Sequence, residues 1–384
     1  MLEAAAAGIP VIAFADSGGA AEFIRREAAG EVVPFADGEA MARALLTLTK
    51  TLPSDDERQR RGAASAAKSA FGAYAGGLLS LALPDLVGIS VVVPNFNYAR
   101  FLRARLAAIF GQTYPVREVI VLDDASSDDS IAIAEATARE WQRDIRVIAN
   151  ARPSGSVFAQ WRRAAEVARG EFLWIAEADD AAEPQFLEKL AHSLAGAPDA
   201  VFAFSDSRAI DAEDRTLFPS YRDYCAECAG VGALGADDVF SARGFARRFL
   251  AERNLILNAS AVLWRRRALL AAFDGAGDDL TRFALAGDWR LYLEALTGAL
   301  TGVGAAPSGG SVAYVASPLN LHRRHDASVT ARTDPARHAG EIRRLHRLAA
   351  ARLGAGKTLR ARQAAYLRQV ITALRERQGG ENHR

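Results

Sequence analysis

The residues of this chain richest in chemistry are carboxylates that follow short apolar runs. Glu171-Phe172-Leu173-Trp174-Ile175-Ala176 has strand length and ends abruptly in Glu177-Ala178-Asp179-Asp180. Two upstream runs behave alike. Ile89–Val93 leads into Pro94-Asn95-Phe96-Asn97, and Glu118–Leu122 leads into Asp123-Asp124-Ala125-Ser126-Ser127-Asp128-Asp129-Ser130. Buried strands that carry polar groups at their C-terminal ends place them where open α/β sheets hold ligands. Hard oxygen donors there suit Mg²⁺ or Mn²⁺, ions that usually accompany a phosphate-bearing substrate. Helix capping is the plainer alternative. Asp179 or Asp180 would then cap a helix beginning near Pro184, and Ser127 would cap the next one with Asp128 and Asp129 in its first turn. Capping leaves Asp123 and Asp124 unexplained.

Stepping outward, the elements needed to position these groups are legible from periodicity. Strands are expected at Ile89–Val93, Glu118–Leu122, Ile145–Ala149, Glu171–Ala176 and Ala200–Phe204. Helices are expected between them at Tyr98–Phe110, Asp129–Trp141, Val157–Ala168 and Pro184–Leu194. Strands alternating with helices imply parallel pairing through crossovers. Past Ser205 the pattern loosens, with helices expected at 237–250, 266–272 and 287–297 and a strand at Val312–Val315. From Pro335 the chain is Arg-rich with leucines at helical spacing, a helix facing either solvent or a partner.

Bulk properties exclude several classes. The 384 residues suffice for two or three domains, and a net charge of +1 argues for neither nucleic acid nor an anionic membrane as partner. No apolar stretch is long enough to span a bilayer, and no basic leader follows Met1. A cytoplasmic protein is expected. Cys225 and Cys228 lack a second ligand pair for zinc and are expected to be reduced thiols in a loop.

The motifs Val91-Val92-Val93-Pro94-Asn95-Phe96-Asn97, Val121-Leu122-Asp123-Asp124-Ala125-Ser126-Ser127-Asp128 and Ala176-Glu177-Ala178-Asp179-Asp180 together resemble those of family 2 glycosyltransferases. The resemblance spans residues 88–330. It takes in Gly155-Ser156-Val157-Phe158-Ala159-Gln160-Trp161, Asn258-Ala259-Ser260, Ala286-Gly287-Asp288-Trp289 and Leu321-His322-Arg323-Arg324-His325 with Ser328. It implies a GT-A-like α/β fold with a mostly parallel central sheet. Pro94, Asn95 and Phe96 would meet the nucleotide, with Phe96 stacked on the base and Asp124 accepting from it. Asp179 and Asp180 would form the metal–diphosphate site, Asp180 as direct ligand, with Glu177 where the family often has aspartate. His325 would approach diphosphate or metal and Arg323 or Arg324 phosphate, the commoner alternative for such residues being a solvated surface. Asp288 would be the catalytic base, which suits the chemistry, because a sugar hydroxyl attacks well only when a placed carboxylate takes its proton. Read on its own, Asp288 is equally an N-cap of the helix after it.

The first 50 residues resemble something else. Glu3-Ala4-Ala5-Ala6-Ala7-Gly8-Ile9-Pro10-Val11-Ile12 and Gly18-Gly19-Ala20-Ala21-Glu22-Phe23-Ile24 are similar to the C-terminal part of family 4 (GT-B) glycosyltransferases, with Glu3 as the second glutamate of a paired motif. A βαβα fragment of this size cannot close a core alone. The expected organisation is a partial GT-B-like fragment at 1–50, a linker at 51–87, a GT-A domain at 88–330 and a helical tail at 331–384.

The leading expectation is an inverting, metal-dependent transferase that moves a sugar from a nucleotide-sugar donor to a glycan or lipid-linked acceptor. Cell-surface polysaccharide synthesis would be the setting, with peripheral association at the inner face of the membrane. A catalytically silent nucleotide-sugar or glycan-binding module is the alternative, and Asp288→Asn separates the two. A sugar-nucleotide pyrophosphorylase ranks last, because Val93 is followed by Pro-Asn-Phe-Asn rather than by a Gly-rich basic cradle.

Overall fold

The computed structural model describes residues 4, 7–58, 87–298, 310–325 and 334–381. Glu3, Ser328 and most of the expected linker lie outside them. The chain divides into two compact units, Met1–Leu86 and Val87–Arg384.

In the first unit β1 (Val11–Phe14), α1 (Gly19–Glu27), β2 (Gly30–Val33) and α2 (Gly38–Lys50) form the expected βαβα pattern, with β1 and β2 parallel. Gly30 allows that pairing, since a Cβ there would lie 1.8 Å from the Val11 carbonyl oxygen. Among its described residues Ala21, Ile24, Val33 and Ala44 are the buried apolar ones, whereas Phe35, Leu45 and Leu46 are mostly exposed.

The second unit begins with β3 (Ile89–Asn95), α3 (Ala99–Phe110), β4 (Glu118–Asp123), α4 (Ser130–Glu140), β5 (Arg146–Ala149), α5 (Val157–Val167) and β6 (Phe172–Ile175). It continues with β7 (Ala181–Ala182), α6 (Phe186–Gly196), β8 (Ala200–Ile210), β9 (Thr216–Phe218), α7 (Arg222–Ala229) and β10 (Asp238–Ser241). A short helix, α8 (Ala242–Phe245), runs into a π-helical turn at Ala246–Leu250. Then come β11 (Val262–Arg265), α9 (Arg266–Ala276), α10 (Gly287–Thr297), β12 (Ser311–Arg323), α11 (Pro335–Leu353) and α12 (Lys357–Glu381).

The main sheet has the order β10-β12-β8-β11-β6-β3-β4-β5. β6, β3, β4 and β5 are parallel, as are β8 and β12, while β11 runs antiparallel between β6 and β8. The mostly parallel α/β sheet expected from the sequence is thus present, with β7, β9, β10 and β11 as antiparallel members. Val91, Val92 and Val93 are all fully buried because helices cover both faces. Val91 and Val93 pack with α3, α4 and α6, whereas Val92 packs with α5, α9 and α10. Period-two alternation therefore reads as a continuous apolar run.

Several local expectations change. Residues 237–250 hold a strand before the helix, because Asp238–Ser241 pair with Ser311–Tyr314. The two cysteines sit on helix α7 rather than in a loop, and both are free thiols. Strands β8 and β12 run on to Ile210 and Arg323, pairing in parallel through several register shifts. That extension matters, because β12 pairs with β7 and so delivers Arg323 to the acidic loop.

Candidate active site

Neither Asp179 nor Asp180 caps a helix, since α6 starts at Phe186 with Gln185 in the cap position. Ser127 is no cap either. Its N–H donates to Asn97 Oδ1, and it is Asp128 that accepts from the Ala99 and Ser130 N–H groups at the starts of α3 and α4.

At the tips of β3 and β4 the side chains interlock. Asn95, buried, donates to Asp123 Oδ1 (2.8 Å) and Ser126 Oγ (3.1 Å), and the Ser126 N–H donates to Asp123 Oδ2 (2.9 Å). Asn97 and Ala125 both take positive φ to form this corner. Asp124 is 8% exposed and accepts from Asn150 Nδ2, the Ser154 N–H and Gln160 Nε2 through Oδ1. Its Oδ2 accepts from Ser154 Oγ and keeps one lone pair. Pro94 stands part-buried at the strand end opposite Leu122, and Phe96 projects outward, 46% exposed.

Beyond β6, one oxygen from each of Glu177, Asp179 and Asp180 lies within 4.8 Å of the others. Asp180 is almost fully buried. Its Oδ2 accepts from Asn258 Nδ2 (2.9 Å) and Ser260 Oγ (2.6 Å), and its Oδ1 accepts from the Arg323 N–H (2.9 Å). The Asn258-Ala259-Ser260 motif thereby gains its role of orienting Asp180. His325 Nε2 lies 3.0 Å from Asp179 Oδ2, with its ring against Phe101. Arg323 is spent on the protein, holding the Asp179 carbonyl (2.7 Å), the Asp211 carbonyl (2.8 Å) and Asp214 (2.6 Å). Arg324 stays exposed.

No protein hydrogen bond reaches the Glu177 carboxylate among the described residues. Burial pushes its pKa well up, and the charges of Asp179, Asp180 and Asp288 push the same way. A fully buried cation, Arg105, opposes them. Its guanidinium lies 4.5 Å from the centre of the Trp174 ring, and none of its nitrogens has a hydrogen-bond partner among the described residues. Burial lowers its pKa to about 10 while Asp180, Asp179 and Glu177 hold it up, so it stays charged at neutral pH. Three carboxylates facing one internal cation remain net negative, and all their donor atoms are hard oxygens. That set fits Mg²⁺ or Mn²⁺.

Asp288 occupies the first turn of α10, accepting from the Trp289 N–H (2.6 Å) and Asn254 Nδ2 (3.0 Å). Burial nevertheless pushes its pKa up to about 7 against those two hydrogen bonds, with a smaller push from Glu341. The preceding glycine is a packing requirement, since a Cβ on Gly287 would lie 2.3 Å from the Phe158 ring. Phe158 and Gln160 share helix α5, so one element touches both the start of α10 and Asp124. The charge of Asp288 is among those that push the Glu177 pKa up.

The expected site residues thus fall into two linked groups, one around Asp124 and one around the acidic loop and Asp288. Sequence reasoning missed Asn150, Ser154, Asn254 and Arg105. Arg105 carried a signal, because it lies at helical spacing with buried Leu102, Leu106 and Ile109.

Comparison with known proteins finds two family models that match different segments of the chain. Residues 90–253 match the model of Glycosyl transferase family 2, and residues 1–67 that of Glycosyl transferases group 1. Two separate segments of the chain thus match glycosyltransferase family models. Glycosyltransferase GlyG of Streptococcus pneumoniae is 34% identical over 102 residues, 27% of this chain and 33% of that protein. The O-antigen biosynthesis protein RfbC of Myxococcus xanthus is 27% identical over 135 residues, 35% of this chain and 10% of that protein. This chain matches about a third of the length of the first curated relatives. The crystal structure of Staphylococcus aureus TarS 1–349 in complex with UDP-GlcNAc superposes with a TM-score of 0.51 at 16% identity. That match covers 73% of this chain and 71% of that one, and the GT-A-type fold is shared. Among the described residues no helix is long and apolar enough to cross a membrane.

Proposed function

We propose that the second unit is an inverting, metal-dependent glycosyltransferase acting on a nucleotide-sugar donor and a glycan or lipid-linked acceptor. The observation that carries this reading is electrostatic. Asp288, with a pKa near 7, acts on Glu177 in the loop where three carboxylate oxygens crowd within 4.8 Å. A base beside a cation-seeking loop is what attack by a hydroxyl on an activated anomeric carbon requires.

Asp124 would accept from the nucleotide base through its remaining lone pair, and Phe96 would stack on it. Asp179, Asp180 and Glu177 would hold Mg²⁺ or Mn²⁺, which when bound offsets the charge that builds on the departing nucleoside diphosphate. Asp180 is kept in place by Asn258, Ser260 and the Arg323 N–H, and Asp179 by His325. Asp288 takes the proton of the acceptor hydroxyl as its oxygen bonds to the anomeric carbon and the bond to diphosphate breaks on the opposite face. Asn254 fixes the orientation of the carboxylate, and a base with pKa near the working pH combines availability with proton affinity. The partial relationship to an O-antigen biosynthesis protein supports surface polysaccharide as the product class.

A donor screen tests the proposal, scoring hydrolysis of UDP-, GDP- and dTDP-sugars with Mn²⁺, with Mg²⁺ and with chelator. Turnover that needs the ion and disappears in both Asp180→Ala and Asp288→Asn is the expected result. Turnover indifferent to chelation removes the metal from the scheme, turnover retained in Asp288→Asn removes the base, and donor binding without turnover in the wild type leaves a binding module.

A further inference from the structure

Helices α11 and α12, expected to be a solvated or partner-facing tail, reach back to both segments that hold Asp288. Glu341 on α11 is 2% exposed and accepts from three consecutive backbone N–H groups. Ala284 donates to Oε1 (2.7 Å), while Leu285 (3.1 Å) and Ala286 (2.9 Å) donate to Oε2. These are the last residues before α10, and Asp288 is the second residue of that helix. Arg337, one turn earlier on α11, lies 3.6 Å from Glu341 Oε1 and supports its charge.

The second segment is held in the same way. His346 on α11 donates to the Glu252 carbonyl (2.7 Å) and Gln363 on α12 to the Ala251 carbonyl (2.7 Å), while Arg362 pairs with the Glu252 carboxylate. Two residues on, Asn254 donates to Asp288 Oδ2. The Trp289 indole closes the arrangement by donating to the Leu250 carbonyl (2.8 Å).

We infer that Glu341 is a positioning residue for Asp288, and that the C-terminal helix pair is the brace which sets the base in the site. The inference rests on the reading of Asp288 as general base. A carboxylate shared by three amides makes charge-assisted bonds that outlast ordinary loop contacts. Without it, the entry to α10 has three buried or half-buried donors to satisfy afresh, and the carboxylate two residues on moves with them. Displacement of a reacting group by about 1 Å costs up to about 10²-fold in rate.

The test uses the full chain in four forms: wild type, Glu341→Ala, Glu341→Gln and Arg347→Ala, the last an exposed control on the same helix. Amide hydrogen exchange is followed at residues 284–290, alongside turnover of UDP-N-acetylglucosamine and of GDP-mannose with Mn²⁺. In Glu341→Ala, exchange at Ala284–Ala286 should quicken by about tenfold or more. Turnover should lose about 10- to 100-fold in kcat, with donor KM within about twofold. Glu341→Gln keeps the size but turns an NH₂ toward a backbone N–H, so it should fall between, and it carries the test if the alanine variant does not fold. Arg347→Ala should match wild type in both readouts. Faster exchange with unchanged kcat, or unchanged exchange in both Glu341 variants, overturns the inference. If Asp288→Asn retains wild-type turnover while Glu341→Ala still loosens residues 284–286, the base assignment has failed and the brace has not.

Discussion

The proposed nucleotide end and the proposed reaction end of the site spend their carboxylates differently. Around β3 and β4, each carboxylate oxygen of Asp123 and Asp124 accepts at least one hydrogen bond, all from neutral donors on Asn95, Ser126, Asn150, Ser154 and Gln160. At the reaction end Glu177 receives no protein hydrogen bond among the described residues, and burial drives the pKa of both Glu177 and Asp288 upward. Donor-filled acids fix a shape, because each broken bond leaves a buried group unsatisfied. Under-compensated acids hold their protons more tightly and are available to a cation or a substrate proton. The acidic loop contains both kinds three positions apart, since Asp180 is donor-filled and Glu177 is not.

Asp288→Asn keeps the shape of the side chain and removes the proposed base. Loss of about 10²- to 10⁴-fold in kcat is expected, with little change in donor KM. For the wild type, kcat/KM should fall below about pH 7 as Asp288 takes up its proton. The stability sign is opposite to that of a salt-bridged aspartate. The folded pKa lies above the unfolded one, so the folded state keeps a proton that the unfolded state has released between about pH 4 and pH 7. Stability from this group is therefore present at low pH and is lost as pH rises toward 7. Denaturant titrations should find Asp288→Asn less pH-sensitive over that range and more stable than wild type at pH 8. An inactive variant with an unchanged pH–stability profile would contradict the poised carboxylate.

Arg105→Met asks whether the acidic loop is under-compensated as argued. Taking the cation from beside three carboxylates should cost about 3 kcal/mol in metal-free protein. Mn²⁺ should restore more of the melting temperature in the variant than in wild type, and calorimetry should find tighter Mn²⁺ binding. Equal metal affinity in the two proteins would mean that Arg105 is only a packed cation over Trp174.

Asp180→Asn probes the donor-filled kind. One oxygen becomes an NH₂ facing either the Arg323 N–H or the Asn258 and Ser260 donors. A loss of about 1–3 kcal/mol, present even in chelator, is expected from urea unfolding. A loss seen only with metal bound would make Asp180 a ligand without an architectural role.

Much of this division was legible in the residues, and what was not has a common cause. Strand-end motifs announced Asp124, Glu177, Asp179 and Asp180, because a parallel sheet forces strand ends to one edge. Residues that fill or brace those acids were invisible where they come from irregular or distant segments. Asn254 follows a π-helical turn, and Glu341 lies 53 positions beyond Asp288. Tertiary pairing of this kind leaves no periodic trace. The antiparallel insertion of β11 was hidden too, since a four-residue apolar strand carries no mark of its direction. Cys225 and Cys228 were assigned to a loop because Tyr, Asp and Glu masked a two-turn helix in which Cys225 alone is fully buried.

Phe96 sets the lower limit of the comparison. It belongs to the shape-fixing end, yet it is 46% exposed and contributes nothing to the interlock that Asn95 and Asn97 make with Ser126 and Ser127. Its removal should leave the fold untouched and cost only the stacking of a base on its ring, on the order of 1–3 kcal/mol. For Phe96→Ala that predicts a donor KM raised about tenfold with kcat and melting temperature unchanged, while Phe96→Tyr retains wild-type kinetics. A fall in kcat in the alanine variant would place Phe96 with the reacting groups, and the boundary between the two ends would then run through β3 itself rather than between β3 and β6.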